Sequence, residues 1–241
     1  MIVKTRGIVL HFIKYSETSV IATVYTEMLG LQSFLIKGIR GKKSKGKANI
    51  LQPLSLLEMD VFYKEKRELQ TLGEFRSSYP FNSIPYDIRK TTIAIFLAEI
   101  LYRSIKEHEA NAPLFDFLEN SIKMLDMLEE GASDYHLYFL CHYSGFLGFA
   151  PENNYSEENC FFDIKAGRFV AIEPRHPSYM KVEESSAFSC LLSVSPLELL
   201  NLNINHKERI ALLDRLLDYF TMHFEAMEQL NSLNVLKELF G

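Results

Sequence analysis

Residues 20–36 read VIATVYTEMLGLQSFLI. Two runs rich in β-branched and aromatic side chains, Val20–Thr26 and Leu31–Ile36, flank a turn at Met28-Leu29-Gly30. Such side chains suit a pleated, half-buried surface, and glycine supplies the backbone freedom of a tight turn. The stretch therefore predicts two strands joined by a turn. Outward from it, Ile2–Leu10 reads as a further strand. Leu51–Tyr63 alternates imperfectly, with Pro53 suited to a strand start or edge. Leu69–Phe75 follows the charged turn Lys64-Glu65-Lys66-Arg67-Glu68. Five or six short strands in about 80 residues suit a small barrel better than a sandwich, and an OB-type barrel is the leading choice.

Past Tyr79-Pro80 the period changes from two to 3.6. Asp87 is placed to cap a helix whose face is Ile93, Leu97, Ile100 and Leu101. Asn111 with Pro113 opens a second, striped by Leu114, Leu118, Ile122 and Leu125. Gly131 ends that segment, and Ser133 caps a third helix running to about Leu147. Ser195-Pro196 starts a short helix. Asn205 begins a long one, with Glu208 three residues on as in a capping box and a face of Ile210, Leu213, Leu217, Phe220 and Phe224. Leu233–Phe240 closes the chain as an amphipathic piece. Residues 151–194 break this pattern, and Cys160–Asp163 with Arg168–Val170 around Ala166-Gly167 predicts a small hairpin. The chain thus reads as α+β and multidomain. A barrel spans 1–80, and a mainly helical domain spans 81–241 with a hairpin insertion at about 151–194.

Charge divides the same way. Residues 1–80 carry 13 Lys+Arg against 7 Asp+Glu, a net of +6, whereas 81–241 carry 13 against 24, a net of −11. The positive half is concentrated in KGIRGKKSKGK, which holds Lys37, Arg40, Lys42, Lys43, Lys45 and Lys47, no acid and three glycines. Lysines neutralise phosphates without demanding fixed geometry, and glycines keep backbone amides accessible. Six contacts to a single strand correspond to a salt slope near −4, from about −0.7 each. The same composition also describes a solvated loop. Small barrels bind single strands in a charged groove with stacking aromatics. Phe12, Tyr15, Tyr25, Phe34, Phe62 and Tyr63 are available; most read as core, and Tyr15, beside Lys14 and a polar run, reads as exposed.

Other chemistry finds little support. No stretch approaches the roughly 20 apolar residues of a membrane span, and the N-terminus lacks the pattern of a signal peptide. Three cysteines, odd in number and widely spaced, predict reduced thiols in the cytoplasm. Cys160, Asp163, His176 and Cys190 lack the paired spacing of a zinc ribbon, so neither metal nor cofactor is expected. Tyr135, His136, Cys141, His142 and Tyr143 share a predicted helix, but adjacent Cys141 and His142 lie about 100° apart around it and cannot face each other. No P-loop, nucleophile elbow, His-Glu-x-x-His or dinucleotide fingerprint occurs. An enzyme is not expected.

An ordered set of short motifs carries a resemblance. Thr5–Leu10 leads to Tyr15-Ser16-Glu17-Thr18-Ser19. Tyr25-Thr26-Glu27 with Gly30-Leu31 follows, then Lys37-Gly38-Ile39-Arg40 with trailing basics, and Gln52-Pro53-Leu54 before Leu57-Glu58-Met59. Together these resemble the N-terminal barrel of RecO, the bacterial recombination mediator family. Phe96–Leu101, Gly145–Pro151 and Val235–Leu239 are similar to that family's helical domain. The resemblance implies an OB-fold followed by a helical domain. It also implies a non-enzymatic protein that binds single- and double-stranded DNA, anneals complementary strands and is associated with the nucleoid. Expected partners are RecR, with which the family loads recombinase on coated DNA, and the acidic C-terminal tail of single-stranded DNA-binding protein. The matching DNA-binding positions are the six basic-run residues, with Lys4, Arg6 and Lys14. An alternative makes the chain mainly an adaptor for an acidic peptide, bordered by Arg89, Lys90, Arg103 and Lys106. Many members carry a four-cysteine zinc element; here only Cys160 and Cys190 fall in that region, and the hairpin is expected to keep its shape without metal.

Overall fold

The computed structural model describes residues 1–39, 50–224, 227 and 229–240. Five strands, β1 (Ile2–Lys14), β2 (Val20–Thr26), β3 (Gly30–Ile36), β4 (Leu56–Phe62) and β5 (Leu69–Ser77), close into a barrel in the order β1-β2-β3-β5-β4. The OB-type barrel expected from the strand pattern is present. β1 is long enough to serve two partners: Ile2–Ile8 pair with β4, and Gly7–Lys14 pair with β2. A register shift between Val9 and His11 inserts one residue there, and such a bulge bends a strand around a closed barrel. β4 starts at Leu56, later than the sequence suggests, because Gln52–Ser55 form a turn closed by the Ser55 amide on the Gln52 carbonyl (3.0 Å). Inward side chains alternate along β2 and β3. They build a core of Val9, Val20, Ala22, Val24, Phe34, Ile36, Leu57, Met59, Val61 and Leu72.

Closure rests on a short seam. β3 and β5 run parallel, and only Ser33–Leu35 pair with Leu69–Thr71. Before the seam, the start of β3 is covered by the segment after α1 (Ile88–Ser104). The Leu31 amide donates to Glu107 O (2.9 Å), and His108 Nδ1 donates to Leu31 O (2.6 Å). Gly30, at φ +60°, is required here twice over. A left-handed backbone disfavours any side chain, and a Cβ would lie 2.5 Å from Glu109 O.

The chain divides into two compact units. One is Met1–Asp87 with Ala94–Asp126; the other is Ile88–Ile93 with Met127–Gly241. Packing therefore groups residues 94–126 with the strands. In this first unit α2 (Ala112–Met127) starts with Asn111 Oδ1 accepting from the Leu114 amide (3.1 Å). It buries the expected Leu114, Leu118, Ile122 and Leu125. At its far end buried Asp126 accepts the backbone amides of Asn82, Ser83 and Ile84, each at 2.9 Å, which fixes the chain leaving the barrel.

In the second unit a three-residue turn, Ala132–Asp134, precedes α3 (Tyr135–Phe146). Asp134, rather than Ser133, therefore stands at the helix N-terminus. The hairpin expected at 160–170 is β6 (Phe161–Asp163) and β7 (Arg168–Val170), and β8 (Tyr179–Met180) adds on the other side of β6. Helix α4 (Val182–Ser193) follows; its sequence, VEESSAFSCLLS, buries only Ser185, Phe188 and Leu191, too thin a stripe to announce a helix. Asn205 caps α5 (His206–His223) with Glu208 as expected. The buried face of α5 is Leu212, Leu213, Leu216, Leu217, Tyr219 and Phe220, whereas Ile210 and Phe224 are half-buried. Helix α6 (Leu233–Phe240) ends the described chain. The sheet is held by a knot of Phe162, Phe169, Phe188 and Tyr219. Asn154 adds a two-way bond to the Phe169 backbone, and buried Ser185 joins Phe162 N to Met180 O. No described helix is long and apolar enough to cross a membrane.

Candidate nucleic-acid interface

Whether a cation in the barrel half is available to a ligand depends on its carboxylate neighbours. Arg6, on β1, is not available. Its Nε and Nη2 donate to the two oxygens of Glu27 at 2.9 and 2.8 Å, its Nη1 meets buried Glu119, and Asp116 lies at 3.6 Å. The guanidinium also sits 5.0 Å from the Phe115 ring centre. The Arg6 hydrogen bond, outweighing burial, holds the Glu27 carboxyl below its ordinary value. Arg76 is bound to Glu58. Lys4 is exposed, but the cleft of about 570 Å³ that it lines with Arg6 and Arg76 also contains Glu27, Glu58, Asp60 and Glu74. That cleft is mixed in charge and poorly suited to a polyanion.

A second cleft, of about 690 Å³, opens beside the β3–β5 seam. Its walls are Leu35–Ile39 and Leu69–Gly73, with Arg67 and Phe75. Its described lining residues include two cations, Lys37 and Arg67, and no carboxylate. Both are exposed, and neither is ion-paired among the described residues. Gly38, at φ +69°, follows Lys37 in a left-handed backbone conformation, with no described atom within 4 Å of where a Cβ would lie. Of the expected basic run, Lys37 alone is described; Arg40, Lys42, Lys43, Lys45 and Lys47 lie outside the described residues. Lys37 on the one hand, and Lys4 with Arg6 on the other, line different clefts. Lys14 is exposed at the end of β1.

A neighbouring cleft of about 530 Å³ shares Arg67 and Gln70 with the second and adds Lys66, His108, Glu65 and Glu68. Gln70, 1% exposed, organises the turn above it: its Oε1 accepts from Lys64 N (2.9 Å), and its Nε2 donates to Lys64 O (2.8 Å) and Arg67 O (2.6 Å). Sequence reasoning passed over this turn, because alternating Lys and Glu read as ordinary solvated turn residues.

The expected aromatics separate cleanly. Tyr25 and Phe34 are buried and Tyr63 half-buried, while Phe12, Phe62 and Tyr15 are 40%, 47% and 62% exposed. The four cations of the alternative adaptor reading do not form one exposed group. Lys90 is 3% exposed, and Arg103 is bound to Glu99 at 2.7 Å. Lys106 lies beyond the helix end, with its Nζ 6.0 Å from the Tyr102 ring centre; only Arg89 and Lys106 are exposed.

The second unit offers no arrangement for chemistry among its described residues. Burial pushes the Cys141 thiol far up, and burial followed by the Arg209 charge pushes His136 down to about 3. Neither suits nucleophilic or acid–base work near neutral pH. Cys160 is half-buried and Cys190 exposed; Asp163 is met by His176 at 3.4 Å. No group of three or more metal-ligating side chains gathers among the described residues, so these side chains do not fit a four-ligand zinc element.

Comparison with known proteins agrees along the chain. The family model described as "Recombination protein O N terminal" matches residues 1–81, and "Recombination protein O C terminal" matches 85–234. The DNA repair protein RecO of Phocaeicola vulgatus is 40% identical over 241 residues, covering all of both chains. That of Bacteroides fragilis (strain YCH46) is 39% identical over 241 residues, and that of Flavobacterium psychrophilum 37% over 244, again over the full length of each.

Proposed function

The chain belongs to the RecO family of DNA repair proteins, and on that premise we propose that it is a non-enzymatic recombination mediator. It binds single- and double-stranded DNA through the barrel and anneals complementary strands. With RecR it helps load recombinase on DNA coated by single-stranded DNA-binding protein, whose acidic tail it engages. It works in the cytoplasm at the nucleoid and needs no metal. The observation that carries the DNA-binding reading is the position of Lys37. Among the described residues it is a cation without an ion-pair partner, at the rim of a cleft whose described lining has no carboxylate, on an OB-type barrel, at the start of the basic run of 37–47. Phosphate contacts of this kind read backbone rather than sequence. The mainly-adaptor alternative is the weaker reading, because two of its four cations are buried or bound to a carboxylate.

The test uses the full-length protein and a labelled single-stranded oligonucleotide at several salt concentrations. Binding should weaken with salt at a log–log slope of about −0.7 per phosphate contact. Lys42/Lys43/Lys45→Glu should abolish most of the binding at low salt and slow annealing of complementary oligonucleotides. Unchanged binding and annealing in that variant would remove the basic run from the site.

A further inference from the structure

The turn between β4 and β5 has features that the basic run does not explain. Its three cations, Lys64, Lys66 and Arg67, are exposed, and among the described residues none is ion-paired. Its backbone is held from below by a buried glutamine through three hydrogen bonds. A side-chain amide 1% exposed that satisfies one N–H and two carbonyls leaves the turn little freedom. Buried polar groups carry a penalty unless paired, so the pairing fixes both partners. The turn's two acids, Glu65 and Glu68, line the neighbouring cleft with His108 and Arg67, whereas the described lining of the cleft that Arg67 shares with Lys37 has no carboxylate. Lys37 immediately follows β3 and Arg67 precedes β5, and because these strands are parallel the two cations stand at opposite ends of the barrel's shortest seam.

We propose that this turn is a second phosphate-contacting element of the barrel, in which Arg67 and Lys37 flank the seam cleft and hold one stretch of a single strand's phosphodiester backbone. Gln70 is the positioning residue that presents Arg67. The occupant follows from charge complementarity: two cations with Leu35, Leu69 and Leu72 in one cleft, and no acid among its described lining residues. A guanidinium also suits phosphate oxygens geometrically, as a fork rather than a point charge. The proposal rests on the DNA-binding reading above and adds to it a site outside the basic run.

The experiment measures binding of the full-length protein to a labelled oligothymidylate across a salt series. Arg67→Ala should lower affinity about fivefold at 0.1 M salt and make the slope shallower by about 0.7, the signature of one lost contact to a single strand. Gln70→Glu keeps the size and one acceptor but sets a carboxylate against two carbonyls. It should weaken binding by a similar factor in the parent and add nothing in the Arg67→Ala background. A merely structural role for Gln70 would lower affinity equally in both backgrounds, and that result overturns the positioning claim. If Arg67→Ala keeps the parent's affinity and slope while Lys42/Lys43/Lys45→Glu loses binding, the barrel binds DNA and the turn takes no part; the inference fails alone. If the parent shows no salt-sensitive binding at all, the DNA-binding reading fails and this one with it.

Discussion

Replacing Asp126 should loosen the first unit at the point where the chain leaves the barrel. The carboxylate is 3% exposed and accepts three backbone amides. Oδ1 takes Ser83 N and Ile84 N, and Oδ2 takes Asn82 N, all at 2.9 Å. Hydrogen bonds to a charged group contribute about 1.5–3 kcal/mol each when intact, and water recovers part of that when the acceptor is removed. Asp126→Ala strands all three donors and should cost about 3 kcal/mol, a fall of about 10 °C in Tm for a unit of this size. Asp126→Asn keeps an oxygen for Ser83 and Ile84 but turns an amide N–H toward the Asn82 N–H. Its cost should be intermediate, about 2 kcal/mol. The pH dependence adds a second criterion. Burial pushes the Asp126 carboxyl up, but the Asn82, Ile84 and Ser83 amides together pull it below its ordinary value of 3.8. A depressed folded-state value means that the contribution is complete above that ordinary value and is lost as pH falls through the folded one. Thermal melts of parent and Asp126→Asn should therefore differ fully at pH 7, and the gap should narrow only as pH falls below 3.8 through the depressed folded-state value. A Tm for Asp126→Asn equal to the parent's at pH 7, or a gap that does not narrow at all on acidification below 3.8, would refute the role given to this carboxylate.

Arg6→Gln should lower Tm while leaving the salt slope of DNA binding unchanged, because the guanidinium is committed to Glu27 and Glu119. Loss of an arginine that leaves Glu119 buried should cost about 2 kcal/mol; a reduced slope with an unchanged Tm would return Arg6 to the DNA surface. Exhaustive treatment with a strong chelator should shift the melting of the full-length protein by less than about 1 °C. The sheet at β6–β8 is held by aromatic packing and by the Asn154 and Ser185 hydrogen bonds, and structural zinc normally contributes folding energy outright. A large drop in Tm on chelation would establish a metal that the described side chains do not account for.

Most elements of the fold are local and were legible as such. The β-branched runs at 20–26 and 31–36, the glycine between them, the apolar stripes of α1 and α2 and the Asn-x-x-Glu start of α5 each depend on neighbours within one or two turns. Two features were not legible, for a shared reason. The β3–β5 seam is a pairing of only three residues a side across more than 30 positions, and no local period reports such a pairing. Helix α4 was missed because its burial comes from packing against the small sheet, with a serine supplying one of its three buried positions.

The candidate site follows the same division, and charge makes the point most sharply. A run such as Lys37–Lys47 identifies a reserve of positive charge, but whether a given cation is available depends on which carboxylates the fold brings to it. Arg6 sits in the positive half and reads as a DNA contact, yet its partner Glu119 lies 113 residues further along the chain. Arg67 sits in a turn with Glu65 and Glu68 and reads as a solvated turn residue, yet in the fold it also lines a cleft that holds Lys37 and, among the described residues, no carboxylate. The two arginines exchange roles when sequence neighbours are replaced by spatial ones. An ion pair close in sequence is weak when exposed, so adjacent glutamates do little to retain Arg67, whereas a bidentate bond to Glu27 together with buried Glu119 holds Arg6 in place. Net charge along the chain thus locates the half that meets a polyanion, and carboxylate pairing in three dimensions selects the residues that touch it.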